Sequence, residues 1–366
     1  AARSPQPSLA LATDLRLLEV ASGVILRIVR CNTSPRQSQL LASLVPAFQT
    51  SSFGSLTNGQ ISETESAMPA PLQVDAPETS RNLVTLFAAP IIGLRKDVQL
   101  PVDDLPKFLH HILDWGTAEN ATPLQSTAAF QILSTVLNKQ LESLSAFVET
   151  LLPTFWSTEV APADSDINKR KRGIEAWTWA AKALLVRNDK RAESFVENLF
   201  GLLGDNSVNW DAAKAIGRLA KDEETLSKPN YAVTKLFHVQ KYAAKVLPSI
   251  LTGYKDASDP IRKSAHLAAL TTLVKYLPQS MYMHQMTTLL PLFILGLDLP
   301  EVEMRANVIE ALVTLASETE ASEAGPLAEH VSTVINALIK NALPDEMSST
   351  RLRVAALKCL GIVPQA

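Results

Sequence analysis

Cysteine is nearly missing from this 366-residue chain, with only Cys31 and Cys359, at opposite ends. Two isolated thiols build neither a disulfide framework nor a zinc or cluster ligand set, and they fit a reducing compartment. Glycine is scarce at 13 residues, about half the ordinary share of roughly 7%, and aromatic residues make up only 6%. Both shortages disfavour a turn-rich sheet protein and leave an all-helical chain as the better reading. Neither charge sign dominates: 34 basic against 37 acidic residues leave a net of -3, so bulk charge points to neither nucleic acid nor a membrane surface. The longest apolar run, Leu289 to Leu297, is closed by Asp298 and falls far short of the roughly 20 residues a membrane span needs. The chain opens on Ala1 with no charged-then-apolar leader, which reads as part of a longer polypeptide.

What is plentiful is apolar residue, 46% of the chain, set at helical spacing and repeated. Three segments of the C-terminal third superpose. The first runs Val246-Leu247-Pro248, Asp256, Pro260-Ile261-Arg262, Ala265 and Leu273; the second runs Leu290-Pro291, Asp298, Met304-Arg305 and Leu312. Pro248 to Pro291 and Arg262 to Arg305 are each 43 residues apart. A third copy reads Val334 to Leu338, Asp345, Leu352-Arg353-Val354 and Leu357, its extra residues fitting in the loop from Pro344 to Thr350. A period of about 40 to 47 residues, each unit being helix, tight turn and helix, resembles HEAT repeats. Each hairpin buries its apolar stripes only against its neighbours, so units must stack. The fold expected is all-α, with HEAT-like hairpins stacked as a right-handed solenoid of about eight units. Prolines 248 and 291 would bend their helices, and the Asp-then-Arg placement would let charges ladder between adjacent turns.

Earlier units read as helix pairs: Asp14 to Arg30 with Arg36 to Phe48, Asp104 to Trp115 with Leu124 to Asn138, Leu141 to Phe155 with Gly173 to Arg187, and Arg191 to Leu203 with Ser207 to Lys221. Two stretches break the array. Thr50 to Ser80, bearing Ser, Thr, Gly and Pro69, Pro71 and Pro77, reads as a poorly packed linker, and Ser157 to Arg172 as a loop. The organisation expected is therefore N-terminal helices over 1–49, a linker over 50–80 and a repeat array over 81–366.

Candidate chemistry is sparse. His110 and His111 are adjacent, but neighbours on a helix point about 100° apart and converge on a metal only if Asp103, Asp104 or Asp114 assists. Metal-dependent hydrolysis at that pair is the enzyme alternative; one surface histidine and one packing histidine is the plainer reading. His238, His266, His284 and His330 stand alone, without a nucleophile in a strained glycine turn, and no P-loop, dinucleotide fingerprint or HExxH occurs. The chain reads as no enzyme and as needing no cofactor or metal. Lys169-Arg170-Lys171-Arg172 on a flexible loop would suit an acidic import receptor, against a solvated run that offsets Asp164, Asp166 and Glu175. Arg262, Arg305 and Arg353, fixed in place after each turn, read as scaffold. Trp177 and Trp179, two residues apart on a helix, should face different ways, one into the core and one outward. Phe237-His238-Val239-Gln240-Lys241-Tyr242 mixes cation and aromatic within a helix expected from about Tyr231 to Tyr254.

Particular segments say more than the period does. Trp179-Ala180-Ala181-Lys182-Ala183-Leu184-Leu185-Val186-Arg187 resembles the Trp-x-x-Lys-Ala-Leu-x-x-Arg helix of the large HEAT-repeat family named for methyl-methanesulfonate sensitivity, a DNA repair and transcription family. Lys235-Leu236-Phe237 through Pro248, and Leu352 through Cys359, are similar to that family in the same order, so the likeness is clearest over 175–366. The family continues for a further helical repeat beyond the position of Leu357.

The resemblance implies an adaptor of cytosolic iron-sulfur protein assembly, cytoplasmic and nuclear. It would dock a small assembly factor of the domain-of-unknown-function-59 class and, with it, a β-propeller protein. Its clients would be apoproteins of DNA metabolism such as helicases, polymerases and primase. No direct nucleic-acid or membrane contact is expected. Contact residues are expected among the exposed members of Trp179, Lys182, Arg187, Phe237, Gln240 and Lys241. A nuclear transport receptor or another complex scaffold shares the architecture, although such receptors are usually strongly acidic. Holding a cluster takes about four thiolates, so two remote cysteines leave this chain to position rather than ligate.

Overall fold

A computed structural model of the chain describes residues 14–50, 70–318, 330–343 and 349–362. Among these residues there is no strand. The helices are α1 (Leu15–Cys31), α2 (Ser34–Thr50), α3 (Glu78–Asn82), α4 (Val84–Ile92), α5 (Leu105–Thr117), α6 (Pro123–Lys139), α7 (Leu152–Phe155), α8 (Ile167–Val186), α9 (Ala192–Gly201) and α10 (Asn209–Arg218). They continue with α11 (His238–Asp256), α12 (Pro260–Tyr276), α13 (Met286–Gly296), α14 (Val302–Glu318), α15 (Val331–Ala342) and α16 (Thr350–Ile362).

Local chemistry explains why most helices start where the pattern places them. Asp14 accepts from the Arg16 and Leu17 amides, Asp104 from Lys107, and Asp259 from Ile261 and Arg262, each satisfying donors that a first helical turn leaves open. Thr122 and Gln125 form a reciprocal capping box at α6.

The helices fall into two compact units. The first comprises residues 1–193 and 222–236; the second comprises 194–221 and 237–366. In the first, α1, α4, α6 and α8 pack in succession, with α5 laid against α6 and α8. In the second, α10, α12, α14 and α16 pack in succession, while α11, α13 and α15 lie against them as hairpin partners. Each unit is thus a stack of helical hairpins around a shared apolar spine, as the period predicts.

Polar bonds between hairpins keep the same period. Gln125 donates to Asn82 across 43 residues, Asn138 to the Ala183 carbonyl across 45, and Asn341 to the Leu297 carbonyl across 44. Lys340 pairs with Asp298 at 2.7 Å and Arg351 with Glu310 at 3.1 Å, again 42 and 41 residues away. Among the described residues the expected Asp-to-Arg ladder is not what forms. Asp259 caps α12, Asp298 takes Lys340, Arg353 donates to the Ala342 carbonyl within its own hairpin, and Arg262 is exposed. Asp345 and most of the loop from Pro344 to Thr350 lie outside the described residues.

Four other expectations need correcting. Most of the 50–80 stretch lies outside the described residues, but from residue 70 onward it is packed: Leu72 is 3% exposed, and buried Arg81 donates to the carbonyls of Val74 and Trp115 with its guanidinium over the Trp115 ring. The 157–172 loop is mostly helical, because a π-helical turn covers Trp156–Val160 and Asp166 caps α8 nearly two turns before Gly173. The helix expected over 141–155 is divided into a 3-10 turn, a π-helical turn and α7, with Pro153 removing a backbone donor near its end. Lastly, no helix spans Tyr231 to Phe237: residues 222–236 return to the first unit, where the Lys235 amide bonds the Val186 carbonyl and the Asn138 side chain brackets Val233. Left-handed backbone at Tyr231 and Phe237 makes that return, and α11 begins only at His238.

Close helix approach in the second unit depends on two glycines. A Cβ on Gly217 of α10 would lie 2.4 Å from the Thr272 side chain and 2.6 Å from its backbone carbon, so Gly217→Ala should lower the urea-unfolding free energy by about 1–3 kcal/mol. Gly253 of α11 makes room for His266, which is 2% exposed with both ring nitrogens unpartnered. Burial, helped by the nearby Arg262 charge, lowers its pKa to about 4. The unfolded chain therefore binds this proton first, and stability falls as pH drops from about 6.5 towards 4, by about 1.4 kcal/mol per unit at the steepest. Urea titrations across that window should show a shallower decline in His266→Leu than in the wild type.

Candidate protein-binding surface

The six candidate contact residues divide by helix. Trp179, Lys182 and Arg187 belong to α8 and its C-cap. That helix is flanked by α5, α6 and the Trp156–Val160 turn, so nearly every position from Gly173 to Val186 is covered. Trp177 is 1% exposed and tilts against Trp156 at 4.6 Å between ring centroids; Trp179 is 5% exposed. Both tryptophans are therefore core, and the outward-facing member expected of the pair does not exist, because α8 has neighbours on both sides. Lys182 is likewise buried. Arg187 is half-enclosed and tied down, donating to the Asn138 carbonyl and pairing with Glu142. The Glu142 pKa is lowered by a hydrogen bond from its own backbone amide and by Arg187.

The other three residues share one turn of the second unit. Phe237 is the N-cap of α11, with left-handed backbone at φ 61°, and is 65% exposed. Its carbonyl accepts from the Lys241 amide, and Gln240 and Lys241 are exposed on the first turn. Residues three and four apart lie on one helix face, so Phe237, Gln240 and Lys241 form a single aromatic, amide and cation patch. A bulky residue held left-handed costs about 1–3 kcal/mol, and such strain concentrates at functional positions. Leu236, the last residue of the first unit, is 71% exposed. It lies outside the six contact residues expected from the sequence, although two adjacent large apolar residues ahead of a helix mark it.

The remaining candidates go elsewhere. His111 donates to the Leu72 carbonyl at 2.7 Å while His110 faces Asp114 at 3.5 Å, so the two imidazoles do not converge. Among the described residues no three His, Cys, Asp or Glu side chains gather as a metal site. Lys169 to Arg172 are not a flexible loop. The early start of α8 turns Arg170 fully inward onto the Val160 carbonyl, Arg172 donates to the Thr117 carbonyl, and Lys169 pairs with Glu159 at 2.5 Å. Among the described residues no helix is long and apolar enough to cross a membrane.

The family described as RNAPII transcription regulator C-terminal matches residues 1–364. The chain belongs to this family. It is similar to the DNA repair/transcription protein mms19 of Schizosaccharomyces pombe, 26% identical over 96% of this chain and 34% of that protein. A DNA repair/transcription protein of Saccharomyces cerevisiae is 24% identical over 52% of this chain and 18% of its own length. The human MMS19 nucleotide excision repair protein homolog is 22% identical over 81% and 28%. The chain spans about a third or less of these relatives. A chain of the solved structure describing Kap95p binding to RanGDP is similar at a TM-score of 0.48 and 15% identity, covering 97% of this chain and 44% of that one.

Burial separates the two groups of candidates experimentally. Trp179→Ala should cost about 3–5 kcal/mol in urea unfolding, as for a core aromatic. Phe237→Gly should leave stability unchanged or raise it by about 1 kcal/mol, because glycine takes left-handed backbone freely.

Proposed function

We propose that this chain is a docking module of a non-catalytic adaptor in cytosolic iron-sulfur protein assembly, working in the cytoplasm and the nucleus. It holds a small assembly factor of the domain-of-unknown-function-59 class and, with it, a β-propeller protein. Through them it helps deliver clusters to apoproteins of DNA replication, repair and transcription, such as helicases, polymerases and primase. Family membership over residues 1–364 carries the reading, and relatives named for DNA repair and transcription support it.

The chemistry of the chain supports positioning over ligation. A cluster is held by about four thiolates. Here Cys31 is exposed in the first unit, while Cys359 is fully buried in the second, where desolvation pushes its thiol up to about 11 and keeps it protonated. The cluster is then cargo held by partners. The Phe237, Gln240 and Lys241 turn supplies what a protein contact uses: an exposed aromatic ring beside an amide and a cation.

Immobilised chain is expected to retain the assembly factor and the propeller protein of the same organism. Phe237→Gly combined with Lys241→Glu should weaken retention about tenfold, or roughly 1.4 kcal/mol, with an unchanged helical circular-dichroism spectrum. Retention of neither partner by the wild-type chain removes the adaptor reading. Undiminished retention by the double variant removes this turn from it.

A further inference from the structure

One cleft in the first unit is built from segments far apart in sequence. α1, α4, α6 and the 222–236 return surround a space of about 400 Å³, within the range of roughly 300–1,000 Å³ typical of ligand pockets. Its deeper wall is apolar, with Leu26 from α1, Ala88 and Ile92 from α4, and Ala128 from α6. Its outer wall is acidic, with Glu19 from α1 and Glu223 and Glu224 from the return, and among the described residues no Lys, Arg or His lines it. The Ser22 hydroxyl, shielded from water in the same wall, has no hydrogen-bond partner. Gly23 leaves the space open: a Cβ built there meets no atom within 4 Å.

The acidic wall stands on braced backbone. Asn230 donates to the Glu224 carbonyl at 2.7 Å, and the Tyr231 hydroxyl donates to the Arg30 carbonyl at 2.7 Å. The Arg95 guanidinium lies 4.6 Å from the centre of the Tyr231 ring. Carboxylates beside an apolar floor are complementary to a cationic head on an aliphatic stem, the amphipathic shape of a lysine or arginine side chain. An anionic ligand would meet like charge from Glu19 and Glu224, and an uncharged one would gain nothing from them.

We propose that this cleft receives a lysine or arginine side chain of a protein partner, its stem over Leu26, Ala88 and Ile92 and its head between Glu19 and Glu224. The site lies in the first unit, apart from the Phe237 turn, and does not depend on the adaptor reading.

Methyl-resolved NMR of the full chain, watching Leu26 and Ile92, tests it with four probes: hexylguanidinium, hexanol, hexanoate and the peptide acetyl-Leu-Arg-Leu-amide. Hexylguanidinium and the peptide should shift those methyls and compete with each other, with hexanol at least about tenfold weaker and hexanoate without effect. Glu19→Gln with Glu224→Gln should weaken the two cationic probes about tenfold. Gly23→Leu, filling the open space from a helix that tolerates leucine better than glycine, should abolish binding while the fold is retained. Equal response to hexanol or hexanoate, no response to any probe, small-cation binding without peptide binding, or binding undiminished in Gly23→Leu would each overturn the proposal.

Discussion

Every helix that ends inside a stack leaves its last carbonyls without intrahelical donors, and burial removes water as a substitute. In this protein long side chains from neighbouring helices supply the missing donors. Lys139, at the end of α6, places its ammonium 2.7 Å from the carbonyls of both Ile92 and Leu94, where α4 stops. The next residue, Gln140, donates to the Val98 carbonyl, and Asn138 reaches the Ala183 carbonyl. Arg81 and Arg172 serve the carbonyls of Trp115 and Thr117 at the end of α5, and Asn341 serves Leu297 after α13. Hairpins can pack through short connections because these donors arrive from one repeat away.

That constraint accounts for the buried polar residues that a hydropathy pattern would push outward. Lys139 and Arg170 sit inside the stack, and each has a backbone carbonyl as partner. Desolvation pulls the Lys139 pKa down to about 7, so its ammonium form is held mainly by two carbonyl dipoles. His266 is the counterexample. Both its nitrogens are buried without partners, and its pKa is lowered so that the neutral ring prevails near neutral pH. Desolvation lowers both pKa values, and the carbonyls facing Lys139 give its ammonium the partners that the His266 ring lacks.

The 222–236 return shows how such capping generates surface as well as core. Asn138 closes two elements at once, bonding the Ala183 carbonyl and both the amide and the carbonyl of Val233. With the return held on the first unit, Glu223 and Glu224 stand beside α1, and α11 cannot begin before His238. The left-handed turn at Phe237 then leaves its ring in solvent. Both proposed contact areas follow from this one crossing of the chain between units.

Hydrophobic spacing by itself determined that the protein is helical, that its hairpins recur about every 43 residues, and where α1, α5, α6, α12 and α14 lie, because apolar period and capping residues are local properties. The segments around Trp179, Phe237 and Leu352 were enough to suggest the family. Tertiary structure decided what each face meets. Trp179 and Lys182 are covered because α8 has neighbours on two sides, and Arg170 turns inward because Asp166 starts that helix early. Residues 231–237 leave the helical state because Val186 and Asn138, distant in sequence, hold them elsewhere. A helix pattern records which residues share a side; only packing determines whether that side finds another helix or water.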